Sequence, residues 1–140
     1  MSGKRTQSAY VVEPREGRAV ARPSPGWTCP ECEGAAVIRA EGEDGYPRVR
    51  PCDCRSFRRR VELFNRAGIP GRFHAARFDT FSPKNERQGD AMQAARDLVR
   101  TYPADDRGLV LTGPVGVGKT HLAAAIVREL TLERGTPCRF

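Results

Sequence analysis

Residues 109–127 read LVLTGPVGVGKTHLAAAIV, and the eight residues at the centre of this stretch govern the reading of everything around them. Gly113-Pro114-Val115-Gly116-Val117-Gly118-Lys119-Thr120 fits G-x-x-x-x-G-K-[ST] in full. Phosphate oxygens must come close to backbone N–H groups, and glycines at 113, 116 and 118 remove the side chains that would obstruct them. Consecutive N–H groups from about Val115 to Thr120 make a concavity for an anion. The start of the following helix adds roughly half a positive charge. Lys119 has the reach for the β- and γ-phosphates of ATP, and the Thr120 hydroxyl suits Mg²⁺. The plain alternative is a glycine-rich turn with a chance Lys-Thr.

The flanks supply the expected context. Gly108 to Thr112 is short and nearly all apolar, which predicts a strand of a buried parallel sheet. A helix is predicted from about Lys119 to Glu133, closed by Arg134-Gly135. Pro137 to Phe140 reads as the opening of a further strand. Upstream, Ala91, Ala94, Ala95, Leu98, Val99 and Tyr102 form an apolar stripe at helical spacing. A helix would start at Ser82-Pro83, but Gly89 interrupts it early, so it is predicted firmly over Asp90–Tyr102, with Pro103 to Gly108 as the turn that follows. His121 is expected to pack under the loop, and His74 to lie on the surface.

Four of the five cysteines fall in two close pairs, Cys29-x2-Cys32-x19-Cys52-x1-Cys54. Two such pairs on facing turns can supply a tetrahedron of soft ligands, and structural zinc is the leading reading. The x1 spacing of the second pair is tighter than usual. Reduced thiols, a redox pair and an iron–sulfur cluster stay open. Val37-Ile38-Arg39 and Arg48-Val49-Arg50 read as two short strands joined by a turn over Gly42 to Pro47. A segment this small gains little from core burial, so a metal would stabilise it. Cys138 has no partner in sequence and reads as a small hydrophobe.

Arg55 to Pro70 follows. Phe57, Val61 and Phe64 mark one face of a short helix, stopped by Gly68 and Pro70. The run Arg55-Ser56-Phe57-Arg58-Arg59-Arg60 is either a contact for DNA phosphates or the solvated side of that helix. Residues 71–82 carry Phe73, Phe78 and Phe81 without a period, as a connector whose aromatics dock on a neighbouring unit would. Residues 1–26, rich in Arg, Pro, Gly and Ser, read as a disordered basic tail.

Composition sets the outer bounds. The 140 residues suit about one domain. The net charge of +7 is uneven: residues 1–80 hold fifteen Lys/Arg against ten Asp/Glu, residues 81–140 nine against seven. Such a balance favours acidic partners, nucleic acid first, or serves solubility. Residues 1–28 lack the apolar core of a secretion signal, and the longest apolar run, Leu122–Val127, is too short to span a bilayer. No membrane partner is expected. A reducing, cytoplasmic location follows, in which cysteines hold metals or stay as thiols.

The four-cysteine segment ending RPCDCR, the helix, the connector AGIPGRFHAARFDTF and then GLVLTGPVGVGKTHLAAAI together resemble the bacterial helicase-loader ATPases of the DnaC/DnaI type, in the AAA+ class. The likeness covers roughly residues 27–140. The GKTHLA continuation is similar to that of DnaC, of the initiator DnaA and of the transposition helper IstB. The cysteine segment and Ile69-Pro70-Gly71-Arg72-Phe73 favour the loaders. The resemblance implies an α/β P-loop NTPase fold preceded by a zinc-ribbon-like segment. It implies ATP and Mg²⁺ at Gly113–Thr120, and zinc on Cys29, Cys32, Cys52 and Cys54. It also implies a replicative DNA helicase and single-stranded DNA as partners, and side-by-side homo-oligomers. Ligand sets vary among loaders, so the Cys-x-Cys pair is a departure that leaves the metal open.

The division expected is a tail (1–26), a four-cysteine segment with its helix (27–68), a connector (69–88) and the first part of an ATPase domain (89–140). Phosphoryl transfer needs an acid on a second strand and usually an arginine as well, and neither is apparent here. The sequence therefore reads as one parallel strand–loop–helix unit of an incomplete sheet, part of a truncated ATPase, and leaves turnover undecided. Two other functions compete: a zinc-stabilised module that docks on a helicase or DNA without turning over ATP, and an IstB-like transposition helper.

Overall fold

Three helices and two separate β-hairpins make up a mixed α/β chain, in a computed structural model that describes residues 9–104 and 107–140. The first eight residues of the expected tail, and Asp105 and Asp106 of the expected turn, lie outside the described residues.

The largest departure from expectation comes first in the chain. Residues 10–23 are a hairpin, not a disordered tail: β1 (Tyr10–Arg15) pairs antiparallel with β2 (Arg18–Pro23). Opposed residues share a face. One face joins Tyr10, Val12, Ala19 and Ala21, of which all but Val12 are fully buried. The other carries charge, with Arg22 bonded to Glu13 at 3.0 Å. The two-residue turn Glu16-Gly17 has both φ angles positive, 49° and 77°, which matches the twist of a tight hairpin.

The hairpin lies on α1 (Phe57–Ala67), a helix closed by Gly68 at φ 79°. Val61 and Phe64 are buried on the face that the spacing predicts, with Phe57 packed beside them. Asn65 fixes the contact by treating the edge of β2 as a strand would. Its Oδ1 accepts from Ala21 N at 2.7 Å, and its Nδ2 donates to Ala21 O at 3.0 Å. Ile69-Pro70-Gly71 continues this edge, with Ala19 N donating to Ile69 O and Gly71 N to Gly17 O, both at 2.8 Å. A Cβ at Gly71 would press on the backbone of Gly17 and Arg18 at 3.2–3.3 Å, so glycine permits the close approach.

The helix α3 (Lys119–Arg128), with its π-helical continuation Glu129–Glu133, is the shared centre. Ala124, Val127 and Leu132 face the α1–hairpin core, which includes Phe64 and Ile69. Leu122, Ala125 and Leu130 face a second core with Phe78, Ala95 and Val99. The last two belong to α2 (Glu86–Thr101). This helix starts later than Ser82-Pro83: its cap is Asn85, whose Oδ1 accepts from Gln88 N at 3.0 Å. Gly89 is accommodated inside it.

No parallel pairing occurs among the described residues. Leu109–Thr112 is not a strand of a sheet, nor is Pro137–Phe140. Leu109 and Leu111 nevertheless pack on the second core while Val110 stands 84% exposed. The stretch keeps a strand's alternation, but nothing among the described residues pairs with it, and a ladder needs a neighbour.

Candidate functional site

The loop 113–120 turns between the extended stretch and α3. Gly113, Gly116 and Gly118 have φ of 135°, 87° and 96°, a region that side chains other than glycine's rarely enter. The start of α3 is capped by no side chain, whereas α2 is capped by Asn85. That leaves the first N–H groups of α3 free of side-chain partners, as an anion-binding helix start requires. Lys119 folds back over the loop, its Nζ donating to the carbonyls of Gly113 and Pro114 at 2.7 Å each. Val115, at the tip, is wholly exposed, and Thr120 is exposed at the base. The residue types and backbone therefore fit a triphosphate and its Mg²⁺.

Beside the loop lies an open cavity of about 660 Å³ between the 109–114 stretch and the start of α2. Phe81, Asn85, Gln88, Leu111 and Lys119 are among its lining residues. Gln88 Nε2 donates to Val117 O at 3.4 Å, tying α2 to the loop. The parts of Asn85, Gln88 and Leu111 were not evident from the sequence, although the connector aromatics, Phe81 among them, were expected to dock on a neighbouring unit.

The connector holds the base of the loop. Phe81 lies so close to Gly118 that any Cβ there would overlap its ring. His121 packs on Phe81 with ring centres 5.4 Å apart, under the loop as expected. Its Nε2 donates to Arg77 O at 2.9 Å. Farther along α3, the buried Arg128 donates to His74 O at 2.9 Å and lies 5.9 Å over the Tyr10 ring. Burial lowers the Arg128 pKa from its ordinary value. His74 itself is half-buried, its ring nitrogen 2.9 Å from Gly71 O.

The four cysteines of the two pairs meet. All four sulfurs lie within 4.8 Å of one another. Cys29 and Cys52 are 3.7 Å apart, and Cys32 and Cys54 3.4 Å. Zinc–sulfur bonds of about 2.3 Å in a tetrahedron give edges of roughly 3.8 Å, so the donor set fits zinc. The two hairpin arms are β3 (Val37–Glu41) and β4 (Pro47–Pro51), which contain the strands expected at 37–39 and 48–50 and pair from Val37↔Pro51 to Glu41↔Pro47, so that Pro47 belongs to the strand and not to the turn. Cys29 O accepts from Glu33 N and Cys32 O from Ala35 N, both at 2.8 Å. These turns point the first pair at the second. Burial and the neighbouring thiols push the Cys54 pKa up. At Cys32, burial is outweighed by hydrogen bonds with Cys54 and the Gly34 and Ala36 backbone, which bring its thiol down to about 7. All four could be thiolates at this distance only with a cation among them. Cys138 stays apart, partly buried against both apolar cores.

Comparison with known proteins gives one consistent result. Over 69 residues the chain is 36% identical to the replicative helicase loader DnaC of Escherichia coli K12. About half of the chain resembles DnaC. The likeness covers 49% of the chain and 28% of DnaC, with the same values for DnaC of Escherichia coli O157:H7 and of Shigella flexneri. The chain thus spans under a third of the length of these DnaC relatives. No family model and no solved structure matches. Among the described residues, no helix is long and apolar enough to cross a membrane.

Proposed function

We propose that this chain is the nucleotide-binding and metal-binding part of a helicase-loader-type ATPase. In this reading Gly113 to Thr120 bind ATP, with Mg²⁺ met by Thr120, in the AAA+ manner. Cys29, Cys32, Cys52 and Cys54 hold zinc. The partners are a replicative DNA helicase and the single-stranded DNA on which it is placed, and neighbouring copies assemble side by side. The observation that carries the reading is the loop itself: three left-handed glycines before a helix start that no side chain caps, in a chain half of which resembles DnaC.

The protein's own part in nucleotide binding is electrostatic. Uncapped N–H groups and the helix dipole attract phosphate. Lys119 must leave the Gly113 and Pro114 carbonyls to meet a phosphate. Its ammonium then exchanges two neutral acceptors for a charged one, a stronger bond. A bound nucleotide would bring Mg²⁺, which the Thr120 hydroxyl would help to hold and which would offset phosphate charge. The test is equilibrium binding of a fluorescent ATP analogue with Mg²⁺. Lys119→Ala should weaken it at least tenfold, about 1.4 kcal/mol or more; unchanged affinity would sink the assignment.

A further inference from the structure

The outer side of α1 carries a row of arginines that neither candidate site uses. Arg58, Arg59 and Arg66 are exposed, and Arg55, on the 3₁₀ turn Asp53–Ser56 that leads into the helix, extends the row. At 100° per residue, positions 58, 59, 62 and 66 fall on one side of the helix. The opposite side is fixed by buried Val61 and Phe64, and Asn65 is bonded to both polar groups of Ala21. The row is therefore held straight for about 16 Å.

What marks the row is the alignment of its charges on one face of a fixed helix. Arg22, Arg48, Arg77 and Arg100 each face an acid. None of Arg55, Arg58, Arg59 and Arg66 forms an ion pair with a carboxylate among the described residues, and the same holds for the scattered exposed Arg15, Arg39, Arg50 and Arg139. Their one acidic neighbour on that side is Glu62. Glu62 lies one turn from Arg58, Arg59 and Arg66 and offsets part of their charge, which leaves the row a net positive edge for an anionic partner. Guanidinium is the cation suited to it, always charged and forked to meet phosphate oxygens in pairs. Of the 24 basic residues in the chain, 21 are arginine, so the preference holds along the sequence.

We infer that this ridge is a contact for the phosphate backbone of single-stranded DNA, independent of base sequence. The choice of a single strand rests on the loader reading above; the ridge itself does not depend on the nucleotide loop.

The test is fluorescence anisotropy of labelled oligo-dT and a mixed-sequence strand with the whole chain over a range of salt. Arg58→Gln/Arg59→Gln/Arg66→Gln should weaken binding to both strands alike, by roughly tenfold or more. It should also lower the slope of log K against log salt by about 2, since each phosphate contact on a single strand contributes about 0.7. Glu62→Gln should strengthen binding about twofold. Exposed Arg15→Gln/Arg139→Gln is the control for net charge, and circular dichroism checks the fold. An unchanged slope in the triple variant, or an equal loss in the control, overturns the ridge. Tighter, ridge-dependent binding to duplex overturns the single-strand assignment. Failure to bind any strand while nucleotide still binds removes the ridge alone. Loss of nucleotide binding with ridge-dependent DNA binding intact removes the ATP reading alone.

Discussion

The cysteine segment and the helical body are held by different means. Around the β3–β4 hairpin the buried residues are Cys29, Cys32 and Cys52, with Trp27, Ile38 and Cys54 partly buried beside them. Every residue of β4 is exposed. The helical body buries Phe64, Ile69 and Leu132 almost completely. One region depends on four sulfurs for its order, the other on apolar contact. They should therefore fail separately.

Metal removal is the largest expected effect. A chelator, or Cys52→Ser, should unfold residues 27–54 while α1, α2 and α3 persist, because structural zinc sites commonly supply on the order of 10 kcal/mol to small domains. Trp27, the single tryptophan, stacks on Phe57 at 5.3 Å, so its fluorescence should change with the metal while far-UV helix signal is largely kept. Loss of both together would erase the contrast.

Phe64→Ala reverses the roles. It should cost about 3–5 kcal/mol, read by urea unfolding of the helical body, with the spectrum of a cobalt-substituted cysteine site retained below the transition. A smaller effect tests the joint between connector and loop. Gly118→Ala must place a Cβ into the Phe81 ring at φ 96°, and about 1–3 kcal/mol should be lost. Nucleotide affinity should fall in the same protein; stability lost with affinity intact would mean that the joint does not shape the loop. Smallest is Asn85→Ala, which removes the α2 cap at about 1 kcal/mol, visible as a shift of a few degrees in Tm.

The same contrast explains what could be read from the sequence. Cysteine spacing and the stop at Gly68 are local signals, and the cluster, the β3–β4 hairpin and α1 follow from them. The loop glycines are equally local. What escaped notice depends on distant partners. In β1–β2 the inward residues of the second strand are alanines, Ala19 and Ala21, small because they lie under α1. Their pattern is faint, and Glu16-Gly17 is a weak turn signal beside Asn-Gly. Leu109–Thr112 shows the opposite failure: strand-like composition produced no strand, because a ladder requires a second chain segment alongside. At α2, Asn85 won over Ser82 because its carboxamide reaches Gln88 N, and Gly89, which the pattern makes an early interruption, lies inside the helix. The candidate site was legible in its ligands but not in its supports. Phe81, Gln88 and Arg128 act through contacts 29 to 54 residues away in sequence.

The grip of α3 on the connector has a consequence for how this molecule can vary. His121 and Arg128 take hold of the chain by the carbonyls of Arg77 and His74, and every amino acid has a carbonyl. Mutational drift at positions 74 and 77 is therefore free as far as this attachment goes, so long as the backbone path is kept. Positions 121 and 128 have no such latitude, since the donors are their own side chains. Selection that preserves the docking would fall on the helix and pass over the strap it holds.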